Sequence, residues 1–123
     1  MWIFSCPTLA AQSVSQISCG KSSGLNLTTR DVTVEEFERT INVNLRAAFI
    51  LTKGLVRYMR SHKWGRIIFV SSIAAQGGGI NGPHYAASKG GLSGLMRNLS
   101  TRLAEYNISV NHLCSTCLSR SGQ

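Results

Sequence analysis

Tyr85 and Lys89 stand four residues apart in Pro83-His84-Tyr85-Ala86-Ala87-Ser88-Lys89. On a helix that spacing puts both side chains on one face. A phenol near its ordinary pKa of ~10 exchanges protons poorly at neutral pH. An ammonium beside it favours the phenolate and lowers that pKa. Ser72 lies thirteen residues before Tyr85, at the end of Arg66-Ile67-Ile68-Phe69-Val70-Ser71-Ser72. Open α/β sheets bind ligands outside the carboxyl ends of their strands. A hydroxyl there can hydrogen-bond a carbonyl oxygen as negative charge develops on it. The three side chains together have the properties that hydride transfer to a ketone requires.

The elements that must position them can be read from the pattern around them. Thr33-Val34-Glu35-Glu36 is a capping box, and its two acidic residues suit the positive end of a helix dipole. Phe37, Ile41, Leu45, Ala48, Leu51, Leu55 and Met59 recur at steps of three and four, which predicts one long amphipathic helix over about 33–61. Trp64-Gly65 breaks it. Arg66–Val70 is short, apolar and without alternation, the signature of a strand buried on both faces. Residues 73–82, with Gly77-Gly78-Gly79 and Asn81-Gly82, read as a loop on the substrate side.

Pro83 suits the first turn of a second helix lined by Leu92, Leu95, Leu99 and Leu103. Ala86, Ala87, Gly90, Gly91 and Gly94 are small, so another backbone can come close. Ile108–Leu113 reads as a second strand, and 114–123 as an irregular tail. Helix, strand, helix, strand implies right-handed crossovers and a parallel sheet. Two strands are few for a sheet of that kind, so the isolated unit is expected to be marginally stable with open edges.

Composition narrows the function classes. The chain has 123 residues, enough for one domain, and a formal net charge of +8. Its basic residues are scattered, with no cluster of the kind that tracks nucleic acid, and read as solvated faces that also attract a phosphate-bearing ligand such as a dinucleotide. Cys114 and Cys117 form a C-x-x-C pair, but Cys6 and Cys19 make no second pair, so no metal site is expected and the thiols read as reduced. No apolar run reaches the ~18 residues of a membrane span. Residues 1–30 are serine-rich, lack acidic residues and show no sustained period, so they read as a loop or poorly ordered segment. Cys19-Gly20-Lys21-Ser22 fails as a phosphate loop because Ser15 stands where its first glycine belongs. The expected location is cytoplasmic, with a faint mitochondrial alternative.

Asn42-Val43-Asn44-Leu45, the run Gly65–Ser72, the run Pro83–Leu92 and Val110-Asn111 together resemble the short-chain dehydrogenase/reductase family, most closely its 3-oxoacyl-carrier-protein-reductase-like members. The resemblance covers about residues 31–113. It implies a partial Rossmann-like, doubly wound parallel α/β sheet retaining helix, strand, helix and strand. It implies a carbonyl reductase or alcohol dehydrogenase using NADP or NAD, with 3-oxoacyl thioesters as one substrate class. It implies Tyr85 as general acid in reduction and base in oxidation, Lys89 as the residue that tunes Tyr85 and bonds the nicotinamide ribose, and Ser72 as the group that orients the carbonyl. Asn44 would hold a water between Lys89 and solvent. Ser71, at a spacing of fourteen, fits the serine position less well.

The family's T-G-x-x-x-G-x-G phosphate turn and its N-N-A-G segment do not occur in the chain, and Ser115-Thr116 replaces its Pro-Gly. Two alternatives therefore stand beside the enzyme. One is a catalytically incomplete product, from a truncated or mispredicted reading frame. The other is a partner module that pairs with itself or with full-length family members through the two long helices, as the resemblance implies for subunit contacts.

Overall fold

The apolar run that ends in Ser72 forms the strand on which the architecture is built. A computed structural model of the chain describes residues 2–6, 9–14, 28–77 and 81–115. Strands β1 (Trp2–Cys6) and β2 (Leu9–Val14) precede helix α1 (Val34–Ile41), a π-helical turn (Asn42–Arg46) and helix α2 (Ala47–Ser61). Strand β3 (Gly65–Ser72), the short helix α3 (Ala74–Gly77), helix α4 (Pro83–Leu103), a 3₁₀ turn (Ala104–Tyr106) and strand β4 (Ile108–Ser115) follow. The sheet order is β2-β1-β3-β4. β3 and β4 run parallel over their whole lengths, from Gly65 opposite Ile108 to Ser72 opposite Ser115. Parallel neighbours need a crossover, and α4 provides it.

The long helical segment has the predicted extent and the predicted start. Thr33 Oγ1 accepts from the Glu36 N–H at 3.2 Å, and the Thr33 N–H donates to the Glu36 carboxylate at 3.2 Å. Just upstream, the Asp31 carboxylate accepts from the Thr28 hydroxyl and the Thr28 N–H at 2.7 and 2.8 Å, bonds that hold its pKa below the usual carboxylate value. The hydrogen-bond ladder is not regular throughout, however. At the π turn the Ala47 N–H reaches the Asn42 carbonyl, one residue further back than in an α-helix. Ala48, Thr52 and Met59 are buried, whereas Phe37 and Leu51, expected on the buried stripe, are 40% and 37% exposed. Thr52 takes the inward position assigned to Leu51.

α2 ends at a Schellman motif. The Lys63 N–H donates to the Arg60 carbonyl and the Trp64 N–H to the Met59 carbonyl, both at 3.2 Å. Lys63 adopts a left-handed conformation, φ 48°, to make that turn.

The core lies between α2 and α4 on one side and one face of β3 and β4 on the other. Ala48, Met59, Leu92 and Leu103 meet Ile67, Phe69, Ile108 and Val110 there. Leu95 and Leu99 pack beside them, so the predicted leucine stripe of α4 is the one that faces the core. Ile67, Phe69 and Ser71 are buried, while Arg66, Ile68 and Val70 are half-buried. This corrects the expectation of a strand buried on both faces: among the described residues, both long helices cover the same face. The small-residue surface of α4 also proves local. A Cβ at Gly91 would lie 2.6 Å from Leu45 Cδ2, whereas one at Gly94 would meet nothing within 4 Å.

The expected loop over 1–30 is corrected in part. β1 pairs antiparallel with β2, and also with β3, Trp2 opposite Phe69 through Ser5 opposite Arg66. The reason lies more than sixty residues away in sequence, on the edge of β3, which offers unpaired backbone groups to any extended segment that can reach it. The sheet is therefore mixed, and its parallel part is β3–β4. Cys19–Ser22 lies outside the described residues. At the other end, Cys114 and Ser115 belong to β4 through their partners Ser71 and Ser72, so the strand outruns its predicted end. Residues 116–123, with Cys117, lie outside the described residues. Within 73–82, α3 forms over Ala74–Gly77 where a loop was expected, and Gly78 and Gly79 also lie outside them.

Lysine has a Cβ that crowds the left-handed region, a penalty of about 1 kcal/mol that glycine escapes. Lys63→Gly is expected to raise stability by up to about that amount, read as a higher thermal midpoint by calorimetry. An unchanged or lower midpoint would show that the relief of strain does not exceed the conformational entropy that glycine adds to the unfolded chain.

Candidate active site

α4 starts where the chemistry starts. Gly82 precedes it at φ 80°, a conformation natural to glycine, and Pro83 occupies the first turn with the fixed φ that a helix start needs. The Ala86 N–H donates to the Gly82 carbonyl at 3.2 Å. Tyr85 thus sits in the first turn of α4 and Lys89 one turn further on, both half-buried. Lys89 Nζ lies 5.6 Å from the centroid of the Tyr85 ring. It also donates to the Val70 carbonyl at 3.0 Å. In return the Ser71 hydroxyl donates to the Lys89 carbonyl at 3.2 Å.

Ser72 ends β3, with 7% of its surface exposed. Its Oγ accepts from the Ala74 N–H at 3.3 Å, at the start of α3. The two adjacent serines therefore differ in placement: Ser71 is bonded to the α4 backbone, and Ser72 caps the turn that leaves the sheet.

Asn44 lies in the π turn. Its side-chain amide donates to Ser88 Oγ at 3.1 Å, and the Ser88 hydroxyl donates to the Tyr85 carbonyl at 2.8 Å. The structure thus brings Asn44, Tyr85 and Lys89 to the same two turns of α4, with Ser72 at the end of the strand that Lys89 holds. Ser88 was not among the residues singled out from the sequence. It is fully buried, although a serine in a helix usually faces water. Its position three residues after Tyr85 was the available signal, because a helical serine can reach back to that carbonyl.

His84 and His112 are half-buried, and His84 Nδ1 is buried without a hydrogen-bond partner. Among the described residues, no group of three or more His, Cys, Asp or Glu side chains could hold a metal ion, and no helix is long and apolar enough to cross a membrane.

Residues 21–121 match the family described as short chain dehydrogenase. The 3-oxoacyl-[acyl-carrier-protein] reductase MabA of Mycobacterium tuberculosis is 39% identical over 80 residues, which is 65% of this chain and 32% of that protein. Tropinone reductase-like 2 of Erythroxylum coca is 36% identical over 91 residues, 74% of this chain and 33% of that protein. The chain therefore spans about a third of the length of these curated relatives. Among solved structures, the 3-oxoacyl-[acyl-carrier protein] reductase of Brucella melitensis with bound NAD superposes with a TM-score of 0.73 at 29% identity, covering 78% of this chain and 37% of that one. The parallel β3–β4 pair with its crossover helix is thus part of a Rossmann-type α/β fold. By its sequence match and its fold together, the chain belongs to the short-chain dehydrogenase family.

Proposed function

We propose that this chain carries the proton-transfer centre of an NAD(P)-dependent carbonyl reductase and alcohol dehydrogenase, with 3-oxoacyl thioesters as the substrate class. The observation that carries the reading is the Lys89 ammonium, 5.6 Å from the Tyr85 ring and anchored to the carboxyl end of β3 beside Ser72. In this reading the Tyr85 hydroxyl gives its proton to the carbonyl oxygen during reduction and takes it back during oxidation. The positive charge of Lys89 favours the phenolate form. Ser72 holds the carbonyl oxygen at the strand end as charge develops there. Asn44 holds a water between Lys89 and solvent.

A phenol and an ammonium on one helix face suit the nicotinamide ribose, which Tyr85, Lys89 and Asn44 would contact. NADP or NAD would supply the hydride. The glycine-rich phosphate turn is absent from the 123 residues, so these side chains account for the nicotinamide end of the cofactor alone. The similarity to 3-oxoacyl-[acyl-carrier-protein] reductases supports the substrate class.

A specific observation favours a second role for the helices. Phe49 and Ile50 of α2 are 51% and 54% exposed, and Phe37 of α1 is 40% exposed. Large apolar side chains exposed together on one helical segment suit pairing with another copy or with a full-length family member.

Cofactor-dependent reduction of a 3-oxoacyl thioester, followed through nicotinamide absorbance, tests the first reading. Tyr85→Phe and Ser72→Ala are each expected to lower kcat by about 100-fold or more. Ser71→Ala loosens the hold of β3 on α4 but removes no group that meets substrate, so it is expected to lower kcat less than Ser72→Ala and to cost about 1 kcal/mol of stability for its lost hydrogen bond. Absence of cofactor-dependent turnover, or turnover indifferent to Tyr85→Phe, removes the reading. For the second role, light scattering is expected to show a dimer or a larger assembly that Phe49→Glu/Ile50→Glu converts to monomer. A monomeric parent chain that also fails to co-purify with a full-length family member would exclude pairing.

A further inference from the structure

We propose that Cys114 and Cys117 form a reversible disulfide, and that closing it detaches Ser115 from Ser72 at the carboxyl end of β3. Neither cysteine takes part in the proton transfer described above. Cys114 is a free, exposed thiol near the end of β4, where it pairs with Ser71. Cys117 follows it at C-x-x-C spacing in the sequence. Cys6 follows Ser5, which pairs with Arg66, so β1 carries it to the other end of β3. The stretch from Arg66 to Ser71 measures about 16 Å, whereas a disulfide spans at most ~6.8 Å between Cα atoms. Proximity along the chain therefore selects Cys117 over Cys6 as the partner of Cys114.

The strand and the disulfide exclude one another. In an extended chain, Cα atoms three residues apart are separated by about 10 Å, beyond the reach of a disulfide. To close the bond the chain must turn over Ser115-Thr116. A type II turn would leave Ser115 nearly extended, but it needs a positive φ at Thr116, which a β-branched residue resists. The type I turn that remains puts Ser115 in the helical region, where it cannot keep its pairing with Ser72. The reduced chain holds the Ser72–Ser115 pair, and the oxidised chain gives it up. On the reading of Ser72 given above, oxidation loosens the seat of the group that orients the carbonyl.

The oxidant is a small-molecule disulfide such as glutathione disulfide. The exposed Cys114, as thiolate, attacks one of its sulfurs, forms a mixed disulfide and expels one thiolate. The Cys117 thiolate then attacks Cys114 Sγ and expels the other. The protein loses two electrons and two protons, and the small disulfide becomes two thiols. A dithiol reductant reverses both steps.

Equilibration of the full chain in glutathione redox mixtures, read by intact mass and peptide mapping, tests the proposal. The expected product is an intramolecular Cys114–Cys117 disulfide, absent from Cys114→Ser. Amide exchange over residues 71–73 and 113–115 is expected to become about tenfold faster on oxidation, the order of one lost backbone hydrogen bond, and to stay unchanged in oxidant-treated Cys114→Ser. Ser115→Pro favours the turn and weakens the strand, so it is expected to shift the equilibrium toward the disulfide by about tenfold. A reaction that stops at the mixed disulfide, or a linkage to Cys6, Cys19 or a second chain, would overturn the proposal. So would exchange that is unchanged on oxidation, or a disulfide no easier to form in Ser115→Pro. A chain that turns over no substrate removes the reading of Ser72, and these measurements still decide the disulfide.

Discussion

Lys89 is held to the end of β3 at two atoms. Its ammonium donates to the Val70 carbonyl at 3.0 Å, and its own carbonyl accepts from the Ser71 hydroxyl at 3.2 Å. One bond fixes the side chain and the other fixes the backbone of the same residue. Together they set the register of α4 along the strand. Because Tyr85 lies one turn before Lys89, that register also sets the height of the phenol above the strand end where Ser72 sits. A shift of α4 by a single residue would rotate its face by about 100° and take the Lys89 ammonium away from the Val70 carbonyl. The geometry of the candidate site is thus a consequence of how a helix is stapled to a strand.

The opposite side of α4 is registered by a close approach. Gly91 leaves so little room that a methyl group there would collide with Leu45, which belongs to the same π turn as Asn44. The Leu45 side chain can lie against the backbone of α4 because Gly91 has no side chain. Asn44 gains a partner on α4 because the π turn presents it there. Close packing at Gly91 and the polar contact through Ser88 therefore support one another.

The sheet explains why this assembly needs so few strands to hold its site. β3 pairs on both edges, with β4 in parallel and with β1 in antiparallel orientation. Its backbone groups are satisfied over Arg66–Phe69 from both sides, which leaves the open edges to β2 and β4. The helices bury one face through Ile67, Phe69, Ile108 and Val110. The other face carries Ile68 and Val70, half-buried, and Leu113, 56% exposed. The apolar character of Arg66–Val70 therefore does not report two helical layers in the described residues.

Much of the site was legible in the sequence because its determinants are local. The capping box at Thr33, Pro83 at the start of α4, the leucine stripe ending at Leu103 and the four-residue step from Tyr85 to Lys89 each depend on neighbours within one or two helical turns. Short-range sterics and periodicity encode such features directly. The π turn, the burial of Thr52 in place of Leu51, the pairing of Trp2–Ser5 with β3 and the contact of Asn44 with Ser88 were not legible. Each depends on a partner far along the chain: Leu45 with Gly91, Phe69 with Trp2, Asn44 with Ser88. The sequence by itself determined which residues could exchange a proton and which elements would carry them. Only the tertiary structure decided what Asn44 touches, which face of β3 is buried and what holds Lys89, because those outcomes depend on hydrogen-bond and packing partners brought together by folding.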